Sequence, residues 1–343
     1  METFLQFSFV FMPFLFVTWF AGRLIGWCQR QGMVAPVAHD DVRRAHSVPT
    51  PHGGGLALVA GILPPALLAV WLFDLPHSTF LVVLCLASLP LAFVGWLDDR
   101  RHQPEWLRLT VHLGCVLVGV WFLPPMFDLF PLWLEKLILV LAWGWFVNLF
   151  NFLDGIDGHA TTEAVVIAVG LILLGGALAP VAGIIAGACL GFLRVNWQPA
   201  RIFLGDVGST FLGFMLGGLL LVSATADTWT LIWPLFTITL VFSLDATATV
   251  IRRILQGHKP WVPHQTFWFQ RAVKAGLTHS EVVRAALVIN LALLVLAILM
   301  LLIGLPWLSP LFGVLMLIFV ARWIQKHEHM ATIATSKTKE TQA

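Results

Sequence analysis

The 343-residue sequence contains no tyrosine, only 4 cysteines and only 11% charged residues. Each shortage excludes something. Charge this sparse does not belong to a soluble globular domain, and nucleic acid is not among the expected partners. Cys28, Cys85, Cys115 and Cys189 each fall in a different apolar run without pairing spacing, so they read as small buried hydrophobes rather than a disulfide framework. With no thiolate cluster, a zinc site is not expected either. No G-x-S-x-G elbow accompanies the HGGG string at His52 to Gly55, which removes a lipase-type oxyanion loop. There is no internal repeat and no Pro-, Ser- or Gly-rich linker, so residues 1–325 are read as one integral domain. Tyrosine is missing beside 16 tryptophans, and this has no physical account.

What is present is apolar: 59% hydrophobic residues and a mean hydropathy of +0.87. Runs able to cross a ~30 Å hydrocarbon layer occur at 4–28, 55–73, 79–97, 109–123, 132–150, 161–177, 179–195, 208–224, 229–251, 284–304 and 306–323. The expected fold is an all-α polytopic integral membrane protein of about eleven spans. The first run is too long for a signal h-region and lacks a basic n-region, so it reads as a retained helix. With a periplasmic N-terminus, every Lys and Arg except Lys136 falls at the cytosolic side, which also places the C-terminus in the cytoplasm. A basic cytosolic face attracts anionic lipid and phosphorylated substrates. The polar tail at 326–343 reads as disordered.

Polar residues gather at that same face. In NLFNFLDGIDG, Asn148 and Asn151 share a helical face, and Gly155 and Gly158 let Asp154 and Asp157 turn toward a common point. A helix end with Asp-Gly turns explains the same pattern. Asp98 and Asp99 form an adjacent pair that needs a cation or metal, with Arg100 and Arg101 at hand. In AHSVPTPHGGG (45–55), the glycines permit close approach of a ligand or a neighbouring helix. In NWQPARIFLGDVGS (196–209), Asp206 sits at a helix start, whose free N–H groups suit phosphate oxygens as well as an N-cap. Phe203 is placed either to stack on a base or to enter the membrane interface. Asp245, inside a span, either has a function or pairs toward Arg252 and Arg253. The late cytoplasmic loop, 252–282, alternates apolar and basic residues from Thr266 like an interfacial helix.

Carboxylate and amide oxygens in this number suit Mg2+, which keeps waters and binds through one or two carboxylates plus substrate phosphates. Acids for a metal, cations for phosphate and a membrane boundary together point to phosphoryl transfer between a nucleotide and a lipid. The rival is a multi-pass transporter of a phosphorylated or anionic solute; transporters place ionisable groups near the midplane at a repeat interface.

The ordered set DD at 98–99, NxxNxxDGIDG at 148–158, NxxPAxxFxGDxGS at 196–209 and a late His-containing basic loop resembles the polyprenyl-phosphate N-acetylhexosamine-1-phosphate transferases over nearly the whole chain. The resemblance implies a Mg2+-dependent glycosyl-1-phosphate transferase of the bacterial inner membrane, with Mn2+ as a substitute ion. Its partners would be a UDP-N-acetylhexosamine, undecaprenyl phosphate and membrane lipids, with a homodimer left open. Carried over, Asp98 contacts or deprotonates the lipid phosphate with Asp99 beside it, and Asp206 holds the metal with Asn151 and Asp154. Asp157, Asn196 and Phe203 shape the uridine pocket, His264 meets the diphosphate or sugar, and Asn148, His46 and Arg271 join the substrate-binding set. His102 stands where the family usually has a Lys. The late loop reads His264-Gln265-Thr266-Phe267 instead of a histidine run, which argues against a MurNAc-pentapeptide donor. It is closer to O-antigen-initiating members, which use UDP-GlcNAc or UDP-FucNAc.

Overall fold

The computed structural model describes residues 2–34, 50–127, 129–259, 264–322 and 324–325. The tail at 326–343 and the stretch 35–49, with His46, lie outside the described residues. The described chain is helical: α1 (Glu2–Arg30), α2 (Gly55–Leu72), α3 (Ser78–Arg100), α4 (Glu105–Phe122), α5 (Leu132–Leu153), α6 (His159–Leu174), α7 (Ala179–Asn196), α8 (Gly205–Ala224), α9 (Thr228–Thr237), α10 (Leu240–Leu255), α11 (Trp268–Lys274), α12 (His279–Leu302) and α13 (Leu308–Arg322). One antiparallel bridge, Val34 with Pro51, ties the exit of α1 to the approach of α2.

Eight of these helices are long and apolar enough to cross a membrane, and α9 with α10 makes a ninth span if counted across a 74° bend. The runs at 161–177 and 306–323 form the shorter apolar helices α6 and α13. The protein is thus a multi-pass helical membrane protein. The bend follows Pro234, and the hydroxyls of Thr237 and Thr239 bond to carbonyls of α9, competing with its continuation.

The bundle is organised around α8, almost all of whose residues are buried. It packs on α3 and α5, with α2, α6 and α9 completing the shell. Trp143 of α5 stacks on Phe214 at 4.8 Å and donates its indole N–H to the Phe214 carbonyl at 3.1 Å, so its one polar atom is satisfied in the core. α1 lies along α7, where a Cβ on Gly187 would fall 2.0 Å from the Val10 carbonyl oxygen. Lipid offers no hydrophobic drive for helix association, so such backbone-to-backbone approach supplies the packing.

Lys136, the cation that breaks the charge bias, donates to the carbonyls of Val120 and Leu123 where α4 ends. Beside it, Glu135 accepts the backbone N–H groups of Met126 and Phe127 at 2.7 and 3.1 Å. At the opposite end α3, α5 and α7 finish, and α2, α6, α8 and α12 begin.

Candidate active site

The start of α8 anchors the site. Its first three backbone N–H groups have no helical acceptor. Carboxylates from two other helix ends take them: Asp154 accepts Gly205 N–H at 3.0 Å, while Asp99 accepts Asp206 N–H at 2.9 Å and Val207 N–H at 3.4 Å. The expectation that these groups hold phosphate oxygens is therefore corrected, since resident carboxylates already occupy them. Gly205 has φ of +73°, and the Asp99 carboxylate lies 2.4 Å from where a Cβ would stand, so only glycine fits.

Asp98 faces the other way. One oxygen accepts Gln103 N–H at 2.6 Å; the other meets Arg108 at 3.1 Å, and the same guanidinium nitrogen lies 2.9 Å from Asp206. Arg108 is thus the cation that Asp98 shares with Asp206. The expectation that Arg100 or Arg101 serves is corrected: Arg100 lies 4.6 Å over the Trp96 ring instead. Asn151 hydrogen-bonds Asp206 and also donates to Ser209 at 3.1 Å. Burial, and next the charge of Asp206, push the Asp154 carboxyl up to about 7, against the opposing Gly205 N–H.

Asp98, Asp99, Asp154, Asp157 and Asp206 all line one cavity of about 340 Å3, together with Asn196, Phe203 and His52. Asp157 is buried, accepts Ala200 N–H at 3.1 Å and lies 3.6 Å from the His279 ring. Asn196 accepts from Thr161 and donates to the Ile202 carbonyl, both at 3.0 Å, so its amide shapes the turn that carries Phe203. Phe203 donates its N–H to Pro51 and its ring lies 5.3 Å from that of His52. It lines the cavity and is not a free membrane anchor. The 53–55 glycines serve helix packing: a Cβ on Gly55 would fall 2.2 Å from Gly208 N, so α2 and α8 begin backbone against backbone.

Other expected residues stand apart. Asn148 donates to the Gly144 carbonyl at 2.8 Å and bonds His112. His264 meets the Thr266 hydroxyl at 3.0 Å and the Phe267 ring at 4.7 Å. Arg271 is half-buried on α11. None of these three lines the cavity. The two oxygens of Asp245 accept Trp268 N–H at 2.8 and 3.0 Å, capping α11, while the charge of Arg252 acts on the carboxylate without a direct hydrogen bond. The amphipathic surface reading of that segment is also corrected, because Phe267 and Phe269 are buried and pack on Phe152 and His159. The late loop thus docks onto the 152–159 segment. Arg108, His52 and His279 were missed. Only Arg108 left a trace in the sequence, as a cation at the start of a span soon after the acidic pair.

Among the described residues, no three His, Cys, Asp or Glu side chains converge in the way that holds a metal by themselves. Hard oxygen donors with no sulfur, two of them sharing a cation, nevertheless suit an ion held by one or two carboxylates and completed by water and phosphate. They do not suit a closed zinc cage.

The chain is thus a multi-pass helical bundle with an acidic cavity, walled in part by Phe203 and His52, at one end. A family model described as Glycosyl transferase family 4 matches residues 81–224. The chain is 28% identical over 307 residues to a decaprenyl-phosphate N-acetylglucosaminephosphotransferase of Mycobacterium leprae, covering 78% of this chain and 77% of that one. It is 27% identical over 256 residues to a Bacillus subtilis protein named "Probable undecaprenyl-phosphate N-acetylglucosaminyl 1-phosphate transferase", 69% of each. With a phospho-N-acetylmuramoyl-pentapeptide-transferase of Acaryochloris marina it shares 30% identity over 228 residues, 59% of each. These relatives are polyprenyl-phosphate N-acetylhexosamine-1-phosphate transferases, and the chain is similar to them over 59–78% of its length.

Proposed function

We propose that this protein transfers an N-acetylated hexosamine 1-phosphate from a UDP-sugar, such as UDP-GlcNAc or UDP-FucNAc, to undecaprenyl phosphate at the cytosolic face of a bacterial inner membrane. A phosphate oxygen of the lipid bonds to the β-phosphorus, the P–O bond bridging the α- and β-phosphates breaks, and its electrons leave on UMP. The product, undecaprenyl-diphospho-sugar, would initiate O-antigen synthesis.

One observation carries this reading: five carboxylates from three separate stretches of chain line a single cavity with Phe203. Packing alone gives no reason to place so much like charge together, whereas phosphoryl transfer relies on positioning and charge compensation. Asp206 and Asn151, with Asp154, would hold Mg2+, or Mn2+ in its place; a bound cation would offset the charge of the diphosphate. Asp98 would contact or deprotonate the lipid phosphate, and Asp99 would fix the start of α8 beneath it. Asp157 and Asn196 would hold the turn presenting Phe203 to the uracil ring, with the docked late loop closing the sugar side.

The test is to incubate the purified protein with undecaprenyl phosphate and a panel of UDP-sugars and to identify the lipid-linked product. An N-acetylhexosaminyl diphospholipid with matching UMP supports the reading. Movement of a solute across sealed vesicles with no lipid acceptor would replace it by transport.

A further inference from the structure

Glu163 lies in α6, one turn past His159 and outside the acidic cavity. Asn290 of α12 donates its amide N–H to Glu163 Oε1 at 2.6 Å, across 127 positions of sequence. Both residues are 1% exposed. Their other oxygens, Glu163 Oε2 and Asn290 Oδ1, are buried without a hydrogen-bond partner. His159 on α6 and His279 on α12 are the titratable neighbours along the two helices, and neither forms an ion pair with Glu163. An ionised carboxylate is an acceptor only, so it would leave both orphaned oxygens unmet and bury an uncompensated charge. One proton on Oε2 resolves both: Oε2–H donates to Oδ1 while the amide N–H donates to Oε1.

The start of α12 touches the site. Asp157, which lines the acidic cavity, donates its backbone N–H to His279 Nδ1 at 3.4 Å, and its carboxylate lies 3.6 Å from the same ring nitrogen. Ser280 N–H donates to Gln198 Oε1 at 2.6 Å, on the turn leading to Phe203. A capping box of Thr278 and Glu281 stiffens that first turn. Where α12 stands against α6 therefore sets what Asp157 and the turn beside it lean on. We propose that Glu163 carries a proton and forms with Asn290 a two-way acid–amide pair that fixes α12 against α6. Glu163 is then a positioning residue, acting on the nucleotide through α12 and Asp157. The acid–amide pair stands on the geometry alone; its effect on the nucleotide rests on the reaction proposed above.

The first experiment is the infrared difference spectrum of full-length protein in detergent at neutral pH, wild type minus Glu163→Gln. The expected result is a protonated-carboxyl C=O band in wild type that Glu163→Gln removes and Asn290→Ala shifts. Carboxylate bands in its place overturn the inference. In calorimetry with UDP and Mg2+, Glu163→Ala and Asn290→Ala are each expected to weaken UDP binding by about tenfold, with the double variant no weaker than either. Glu163→Gln, whose amide repeats the two-way pattern with Asn290, is expected to stay within about twofold of wild type. A Gln variant as weak as the Ala variant contradicts the protonated pair. Alanine variants that unfold at lower temperature with UDP affinity intact contradict the positioning role. If the alanine variants do not fold, the Gln variant and the infrared band decide. The band without turnover on any UDP-sugar keeps the pair and removes the reaction; turnover without the band does the reverse.

Discussion

Asp99 accepts the backbone N–H of Asp206 at 2.9 Å, across 107 positions of sequence. A carboxylate that the family resemblance places beside the chemistry therefore also caps the central helix. Asp99→Ala is expected to cost about 1–2 kcal/mol of stability as a lost cap, whereas Asp99→Asn, itself a good capping residue, keeps most of it. Thermal unfolding in detergent distinguishes them. An alanine variant as stable as wild type would mean that the cap holds nothing.

Arg108 bridges Asp98 and Asp206 at 3.1 and 2.9 Å. Arg108→Ala leaves two carboxylates facing each other, with an expected loss of about 1–3 kcal/mol in metal-free buffer. Because the unneutralised pair then relies on the added ion, Mg2+ should raise the unfolding temperature of this variant more than that of wild type. Equal shifts in both proteins would show that Arg108 and the cation do not serve the same charges.

The Asp154 carboxyl, pushed up to about 7 by burial and by Asp206, gives a pH signature. Unfolded, it titrates near about 3.9, so between the two values the folded protein binds the extra proton. Stability then falls as pH rises through that window. The unfolding temperature of metal-free protein should drop between about pH 4 and about pH 7, and Asp154→Asn should flatten that part of the profile. A rise over the same window, removed by Asp154→Asn, would reverse the assignment.

Gly55→Ala places a methyl group 2.2 Å from Gly208 N, backbone that cannot step aside. The expected cost is about 1–3 kcal/mol, with loss of activity as the α8 start shifts. Gly22→Ala, with nothing within 4 Å, should be silent. Comparable unfolding temperatures for both would refute the close approach of α2 and α8.

Much of this architecture was legible because apolar length and polar clusters are local signals. The runs at 4–28 and 132–150 fold as α1 and α5, and the acids of three separate stretches meet in one cavity. Long-range partners were not legible. Asp245 invited pairing with Arg252, about two turns on along the same helix, yet its hydrogen-bond partner is Trp268 N–H, positioned by a loop fold that no period encodes. Arg108 sat just ahead of an apolar run and drew no notice. The bend between α9 and α10 hides in an unbroken apolar stretch, where Pro234 alone hints at it. His264 and Asn148 drew attention by residue type, but neighbouring groups satisfy them outside the cavity.

The most direct measurement of whether this acidic cavity is where nucleotide sugar and lipid phosphate react is UMP release by purified protein, with UDP-sugar, undecaprenyl phosphate or Mg2+ omitted in turn. Release that requires all three, and that Asp206→Asn abolishes while the protein still unfolds cooperatively, is the predicted result. Release that persists in Asp206→Asn, or that proceeds without the lipid, would contradict it.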